Sequence, residues 1–266
     1  MMKNIIITGS TSGIGYGLAD SFLAAKCQVT ISGRNPKKLA DAYFSLSAKH
    51  GEDRLFSFLC DVTDEDQLRI LWTKARDHFG TVDIWINNAG VAHAETDIWD
   101  FSSQNIRNVT DINIIGTFLG SIVALQGMRE QGFGSIYNME GLGSDGRIIK
   151  GMALYGLSKS SVSYLTKAMS KEMKHTGIII GGIRPGMVAT KLITEQYKDH
   201  PEEWERVKHI FNILSDRVES VAPWIAARVL SNKNNGKIIS YLTPLKIMKR
   251  FVLSPIIKRN VFDQMD

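Results

Sequence analysis

Short runs of apolar residues bounded by turn residues alternate along the chain with longer segments of helical periodicity. The apolar runs predict strands near residues 3–8, 28–32, 54–60, 82–87, 134–139, 178–183 and 237–241. Helical spacing occupies residues 14–25, 37–49, 65–79, 103–130, 153–175 and 220–231. Apolar strands that alternate with helices are typical of a parallel sheet covered on both faces. The pattern therefore predicts an α/β, Rossmann-like, doubly wound fold with a seven-stranded parallel sheet.

The alternation continues without an internal repeat or a linker, and the 266 residues include only 6 prolines. We therefore predict one domain over residues 1–243. A charged helical segment containing Tyr197, Trp204 and Phe211 interrupts the alternation, and we expect residues 187–219 to form a lid over a substrate. Residues 244–266 form a basic, amphipathic C-terminal extension.

Composition is that of a globular protein, with 44% hydrophobic and 22% charged residues. Lys and Arg exceed Asp and Glu by 32 to 27, a net charge of +5 that favours phosphate-bearing ligands but is too small to indicate nucleic acid. Cys27 and Cys60 lie in apolar segments without metal-ligand spacing, so we expect two small buried side chains and no metal site.

The first apolar run leads directly into a glycine turn and is too short for a signal peptide. No segment reaches the roughly 20 consecutive apolar residues of a membrane span. We therefore expect the mature protein to begin near Met1 and to lie in the reducing cytoplasm.

The first predicted strand ends in a glycine-rich turn, Thr8-Gly9-Ser10-Thr11-Ser12-Gly13-Ile14-Gly15. Glycines allow a tight turn and a close backbone approach to a pyrophosphate held at the N-terminus of the next helix. The turn predicts a dinucleotide site whose contacts are Gly9, Thr11, Ser12, Gly13, Ile14 and Gly15.

The end of the second predicted strand bears on which dinucleotide is bound. It reads Ile31-Ser32-Gly33-Arg34-Asn35 and lacks the acid that would bind the ribose 2′-hydroxyl of NAD. Arg34 offers a planar guanidinium suited to a 2′-phosphate, so we expect NADP(H). An ordinary surface arginine is the alternative.

Tyr155 and Lys159 are four residues apart in a predicted helix and therefore share one face. The pKa of free tyrosine is about 10. A nearby ammonium and the positive nicotinamide of an oxidised cofactor would lower that pKa, so that Tyr155 could act as an acid or a base near neutral pH.

The chain resembles the short-chain dehydrogenase/reductase family, in which a carbonyl and an alcohol are interconverted by hydride transfer. The resemblance rests on the Thr-Gly-x-x-x-Gly-x-Gly turn, Asn87-Asn88-Ala89-Gly90 after the fourth strand, Asn113 in the next helix, Tyr155-Gly156-Leu157-Ser158-Lys159, and Pro185-Gly186 after the sixth strand. It implies that Asn113 positions a water of a proton relay. It also implies cofactor contacts at Asp61, Val62, Asn88, Ala89, Gly90, Tyr155, Lys159, Pro185, Gly186, Val188 and Thr190.

The family's fourth catalytic residue is a serine in an Asn-x-Ser-Ser setting, and this chain departs from that pattern. It reads Asn138-Met139-Glu140-Gly141-Leu142-Gly143-Ser144. Ser144 is the nearest downstream hydroxyl and is predicted to polarise the carbonyl. The alternatives are an ordinary loop serine, or Glu140 acting as a local acid.

Residues 138–147 and parts of the tail resemble chlorophyll(ide) b reductases, which use NADPH to reduce a ring formyl group. A similar small-molecule carbonyl or alcohol substrate is therefore expected, and the wider family implies a homodimer or homotetramer. The basic, apolar tail could contact an anionic membrane, but packing against its own domain or a sister subunit is favoured. A non-catalytic NADP(H)-binding redox sensor is the competing function.

Overall fold

The computed structural model describes residues 2–198 and 201–262, so Met1, residues 199–200 of the predicted lid and residues 263–266 of the tail lie outside it. The main sheet contains β1 (Asn4–Ile7), β2 (Gln28–Gly33), β3 (Leu55–Leu59), β4 (Ile84–Asn87), β5 (Gly134–Met139), β6 (Ile178–Arg184) and β9 (Ile238–Ser240). Its seven strands are parallel, in the order β3-β2-β1-β4-β5-β6-β9. The predicted doubly wound fold is confirmed.

Helices cover both faces of this sheet. The α-helices of the described residues are α1 (Gly13–Ala24), α2 (Pro36–His50), α3 (Glu65–Phe79), α4 (Ser103–Thr110), α5 (Gly116–Gln131), α6 (Ala153–Glu172), α7 (Lys191–Thr194), α8 (Pro201–Leu214), α9 (Val218–Ser231) and α10 (Pro244–Leu253). The side chains of Asn35 and Asp64 cap α2 and α3 by accepting backbone N–H groups, which stabilises these helix starts.

The strands are apolar on both faces because the sheet separates two cores. Successive side chains of a strand point to opposite faces. Ile5 and Ile7 join the core beneath α1, α2 and α9, whereas Ile6 joins the core beneath α3 and α5. Cys27 lies in the first core and Cys60 in the second, each almost fully buried, so their predicted burial is confirmed.

The helix predicted over residues 103–130 is interrupted. A π-helical turn at Asp111–Ile115 separates α4 from α5 and carries the buried Asn113. The helical stretch Ser103–Gln131 contains an 18-residue window that is apolar enough to cross a membrane by length and composition, which the search for about 20 consecutive apolar residues did not identify. Half of that window is buried inside the protein, where Val123, Ala124 and Met128 belong to the second core.

The strand order brings the loops that follow β1, β4 and β5 to one edge of the sheet. β1 lies between β2 and β4, so the connections after β1 and β4 run to opposite sides, which opens a crevice at the carboxyl ends of these strands. The glycine turn follows β1, the Asn87–Gly90 segment ends β4, and the Asn138–Ser144 segment ends β5. The predicted site residues therefore converge on this edge.

The predicted lid and the C-terminal tail pack together. β7 (Val188–Ala189) and β8 (Asp216–Arg217) form a separate two-stranded sheet that brackets the segment containing α7 and α8. Aromatic side chains of this segment contact one another and the tail in edge-to-face or tilted arrangements: Tyr197, Trp204, Phe211 and Phe262. The tail thus helps to hold the predicted lid.

The carboxylate of Asp216 links the predicted lid to the C-terminal tail. Asp216 pairs with Arg250 at 2.5 Å and with Arg259 at 2.9 Å, and Lys246 lies 3.7 Å away. Arg250 also donates to the carbonyl oxygen of Leu214. The opposite face of α10 exposes Leu245, Met248 and Val252, so the tail contacts its own chain with one face only.

We expect Arg250→Met to destabilise the lid and tail by about 1–3 kcal/mol, because it removes a buried cation and leaves Asp216 with weaker partners. Hydrogen exchange of residues 201–262 would report the loss as faster exchange. Lys249→Met, on the exposed side of the same helix, is the matched control and should leave exchange unchanged. Equal exchange in both variants would contradict a fastening role for Arg250.

Candidate active site

The glycine turn after β1 is built so that only glycine fits at its critical positions. Gly9 has φ +62°, and a Cβ there would lie 2.6 Å from the Cα of Ala89. A Cβ on Gly15 would lie 2.4 Å from Nδ2 of Asn88. That amide donates to the carbonyl oxygens of Thr8 and Gly9, each at 2.9 Å. The Asn88–Gly90 segment therefore braces the turn directly.

The N-terminus of α1 fits a pyrophosphate. Within the described residues, the Ser12 side chain does not cap this helix, and its first turn contains no acid. The first backbone N–H groups of α1 are thus available to an anion. Oδ1 of Asn88 is buried without a hydrogen-bond partner in the described part of the chain, and Thr190 lies against Gly13. These features leave room and hydrogen-bond donors for an anion where the dinucleotide contacts are predicted.

The end of β2 carries positive charge. Arg34 is exposed directly after the strand, with Lys37 and Lys38 exposed in the first turn of α2. A Cβ on Gly33 would lie 2.6 Å from Cγ2 of Thr11, so this strand end packs tightly on the glycine turn. The local charge suits a ribose 2′-phosphate.

The remaining predicted cofactor contacts lie along the same edge. Asp61 follows β3 and accepts hydrogen bonds from the backbone and hydroxyl of Thr63, and Val62 is buried against Gly116. After β6, Gly186 has φ +78° beside Leu242. The other predicted contacts on this side are Ile14, Pro185 and the buried Val188.

The candidate acid/base pair lies on α6 at the carboxyl end of β5. Lys159 is 5% exposed, and its Nζ donates to the carbonyl oxygen of Met139 at 3.0 Å. Nζ lies 5.8 Å from the centroid of the Tyr155 ring. A Cβ on Gly141 would lie 2.7 Å from Oη of Tyr155, so the phenol faces bare backbone.

Burial dominates the titration of both groups. It raises the pKa of Tyr155 to about 12 and lowers the pKa of Lys159 to about 8, where the Glu140 charge partly opposes the burial. The predicted decrease in the Tyr155 pKa combined the Lys159 charge with that of an oxidised nicotinamide, and in the protein by itself burial outweighs the lysine. Lys159 still places a cation within reach of the phenol.

Asn113 uses its whole amide to fasten two segments. Its Oδ1 accepts from the backbone N–H of Val91 at 2.8 Å, and its Nδ2 donates to the Val91 carbonyl and to Oγ of Ser158. The side chain thus ties the loop after β4 to α6 beside Lys159. These contacts leave a side-chain role in holding a relay water unsupported.

Ser144 is placed differently from the prediction. Its Oγ accepts from the backbone N–H of Gly141 at 3.0 Å and donates to the carbonyl oxygen of Lys159 at 3.0 Å. Because its proton is donated to the backbone of α6, Ser144 serves to hold the loop against this helix rather than to polarise a substrate carbonyl. Gly141, not a hydroxyl, faces Tyr155.

Glu140 is not a free acid. It is 1% exposed, and its Oε2 lies 2.5 Å from Nε of Arg184. Burial raises the pKa of this carboxyl, and Arg184 opposes the rise. Arg184 was missed by sequence reasoning, although opposite charges at the ends of two neighbouring strands were a usable signal.

His93 is a second residue that sequence reasoning missed. Its Nε2 accepts the backbone N–H of Tyr155 at 3.0 Å, and its Nδ1 lies 2.6 Å from the carbonyl oxygen of Ala94. The ring thereby satisfies an N–H group in the first turn of α6. No sequence signal identified it, because the loop after β4 and the start of α6 meet only in the folded chain.

Among residues 2–198 and 201–262, no group of three or more His, Cys, Asp or Glu side chains is placed to hold a metal ion.

We expect Lys159→Met to raise the free energy of unfolding at neutral pH by about 2 kcal/mol, because the variant no longer buries an ammonium. The folded protein binds fewer protons than the unfolded chain between pH about 8 and 10.5, so wild-type stability rises across this window. The advantage of the variant should be full below pH 8 and shrink towards pH 10.5.

Urea unfolding at these pH values measures the difference. Lys171→Met, an exposed lysine on the same helix, should show no such trend. A pH-independent difference for Lys159→Met would refute a depressed pKa at this site.

Comparison with known proteins agrees with this geometry. The short chain dehydrogenase family profile matches residues 3–201. The chain is 33% identical over 256 residues to the chloroplastic chlorophyll(ide) b reductase NOL of Oryza sativa subsp. japonica, covering 93% of this chain and 73% of that protein. It spans only 54% of a longer relative from the same plant, at 29% identity.

Solved structures resemble the fold closely. Levodione reductase superposes with a TM-score of 0.83 at 25% identity, covering 92% of this chain and 97% of that one. The NADP-bound structure of ElxO gives 0.79 at 26% identity, covering 90% and 97%. With its sheet order, glycine turn and Tyr155–Lys159 pair, the chain belongs to the short-chain dehydrogenase/reductase family of oxidoreductases.

Proposed function

We propose that this protein is an NADP(H)-dependent oxidoreductase that interconverts a carbonyl and an alcohol, with Tyr155 as the acid/base. The observation that carries the proposal is the placement of the Tyr155 phenol against bare Gly141 backbone, with the Lys159 ammonium buried behind it. A buried cation is costly unless its charge is used. Here the charge lies beside the group whose proton must move.

A bound nicotinamide dinucleotide supplies or accepts the hydride. In the reducing direction Tyr155 donates its phenolic proton to the carbonyl oxygen, and the Lys159 cation stabilises the phenolate that remains. With a pKa of about 12, Tyr155 is protonated at neutral pH and ready to donate. In the oxidising direction a further nearby positive charge must lower that pKa before Tyr155 can accept a proton.

Hydrogen bonds hold the Lys159 ammonium and the Tyr155 end of α6 in place. The hydrogen bond from Lys159 to the Met139 carbonyl holds the ammonium at one end of β5. The bond from the Tyr155 N–H to His93 holds the first turn of α6. Asn113 ties this helix to the loop that carries His93. Tyr155 is thus preorganised from two sides.

The proposed cofactor is NADP(H). Exposed Arg34, with Lys37 and Lys38 in the next turn, offers cations where an NAD site usually places an acid. ElxO, with NADP bound in its structure, provides a precedent for this cofactor within the same fold.

The proposed substrate is the formyl group of a chlorophyll(ide) b or a similar carbonyl. Likeness to the rice chlorophyll(ide) b reductase over 93% of this chain supports this choice. Both the 138–147 segment and the lid would contact such a substrate, since each adjoins the carboxyl edge of the sheet.

The proposal is tested by a spectroscopic assay of purified protein with NADPH and chlorophyllide b, followed by a panel of simpler aldehydes and ketones. We expect NADPH-dependent loss of the formyl absorption and a much slower reaction with NADH. Tyr155→Phe should lower turnover by about 100-fold or more and still bind NADPH.

The outcomes separate the candidate functions. Conversion of other carbonyls but not of chlorophyllide b would reject the substrate and keep the reaction class. NADPH binding without turnover of any carbonyl would instead favour the non-catalytic redox sensor. Arg34→Gln should narrow the difference between NADPH and NADH; an unchanged ratio would remove Arg34 from the cofactor site.

Gly141→Ala should lower kcat by about tenfold or more, because the new methyl group would displace Oη of Tyr155 from its position. Gly156→Ala is the matched control. A Cβ at Gly156 meets no described atom within 4 Å, and alanine favours the helix. Comparable activity of the two variants would show that the backbone at Gly141 does not position the phenol.

A further inference from the structure

Glu140 and Arg184 form an ion pair directly behind the candidate catalytic residues. Glu140 is the first residue after β5, and Arg184 is the last residue of β6. The strand pairing aligns Met139 with Ile183, and the N–H of Glu140 donates to the Ile183 carbonyl at 2.8 Å. The two charged side chains therefore meet at the carboxyl edge of the sheet.

The carboxylate of Glu140 is held in unusual surroundings. Oε2 is paired with Arg184, whereas Oε1 is buried without a hydrogen-bond partner among the described residues. A Cβ on Gly182 would lie 2.5 Å from Oε1, so the missing side chain makes room for the acid. A half-satisfied buried carboxylate is a poor source of stability. Its placement points to a use beyond packing.

Hydrogen bonds connect this pair to the backbone of Lys159 and to Gly141, which faces the Tyr155 hydroxyl. Arg184 donates to the carbonyl oxygen of Ser144 at 3.2 Å. Ser144 in turn accepts from Gly141 and donates to the carbonyl of Lys159. The loop that places Gly141 against Tyr155 is thus tied to β6 on one side and to α6 on the other.

We propose that Glu140 is a positioning residue that, through Arg184, holds Gly141 at the Tyr155 hydroxyl and supplies the negative charge that keeps the buried Lys159 cationic. This inference deepens the proposed function and rests on it. Glu140 acts through Lys159 and the loop, not on the substrate.

The charges around the acid are few. Arg184 on β6, and Lys159 and Lys167 on α6, are the charged groups that act on Glu140 in the described chain. Burial lowers the pKa of Lys159 to about 8, and Glu140 is the charge that opposes this decrease. Removing the Glu140 charge should therefore deprotonate Lys159 at lower pH.

The test compares wild type with Glu140→Gln, using two measurements. The first is the pH profile of kcat for NADPH-dependent reduction, which needs cationic Lys159. We expect its alkaline limb to move to lower pH, so that activity at about pH 8 falls at least threefold relative to activity at about pH 6. The second is NMR titration of ¹³C-labelled lysine in the free protein, with the Lys159 signal assigned from Lys159→Met.

Two variants complete the comparison. Glu140→Asp keeps the charge and should restore most of the profile. Asp83→Asn removes a carboxylate that accepts the Asn4 N–H at the opposite edge of the sheet, and it should leave the Lys159 titration unchanged. If Glu140→Gln fails to fold, Glu140→Gln with Arg184→Gln removes both charges together and should shift Lys159 in the same direction.

An unchanged Lys159 titration in the folded Glu140 variants would overturn the inference, whatever the activity. If the Lys159 titration shifts in Glu140→Gln but the wild-type protein reduces no carbonyl, the electrostatic role of Glu140 is supported and the proposed function is rejected. If the wild-type protein reduces a carbonyl but the Lys159 titration is unchanged in Glu140→Gln, the proposed function is supported and the role of Glu140 is rejected.

Discussion

Parallel strands can be joined only by crossover connections, and in this chain the crossovers begin at the carboxyl edge of one sheet. Since β1 lies between β2 and β4, the chain turns away to opposite sides at neighbouring strands and leaves a crevice there. The close approach of the Gly9 turn to Ala89, the meeting of Glu140 with Arg184 and the position of Tyr155 all follow from this edge. Its geometry, more than any single bond, determines where chemistry can occur.

The crevice concentrates charge that would be unfavourable elsewhere in the fold. An ammonium, a carboxylate and a guanidinium lie behind one phenol. The Lys159 ammonium donates to the carbonyl oxygen of Met139, and the Arg184 guanidinium donates to the Glu140 carboxylate and to the carbonyl oxygen of Ser144. The hydrogen bonds of Asn113, Ser144 and His93 are all directed at loops and at α6 rather than at open space. Polar residues near this phenol thus divide into those that can move a proton and those that hold the others still.

The outer part of the molecule is organised on a different principle. The segment between β7 and β8 shares an aromatic cluster with the tail. Asp216 forms ion pairs with Lys246 and Arg250 of α10 and with Arg259 beyond it. This unit attaches to the edge of the crevice without entering the sheet. Differences in its sequence can reshape a substrate site while the Tyr155–Lys159 helix stays fixed.

The sequence by itself determined the strand and helix series, the family and the residues at the strand ends, because two-residue and 3.6-residue periodicities and glycine spacing are local properties. It placed Tyr155 and Lys159 on one helix face for the same reason. It did not determine the π turn at Asn113, the use of Ser144 within its loop, the pairing of Glu140 with Arg184 or the support of Tyr155 by His93. Those contacts join residues distant in the chain, and burial there raised the pKa of Tyr155 where neighbouring charge alone predicted a decrease. Only the tertiary structure decided them, because desolvation and hydrogen-bond partners depend on which segments the sheet brings together.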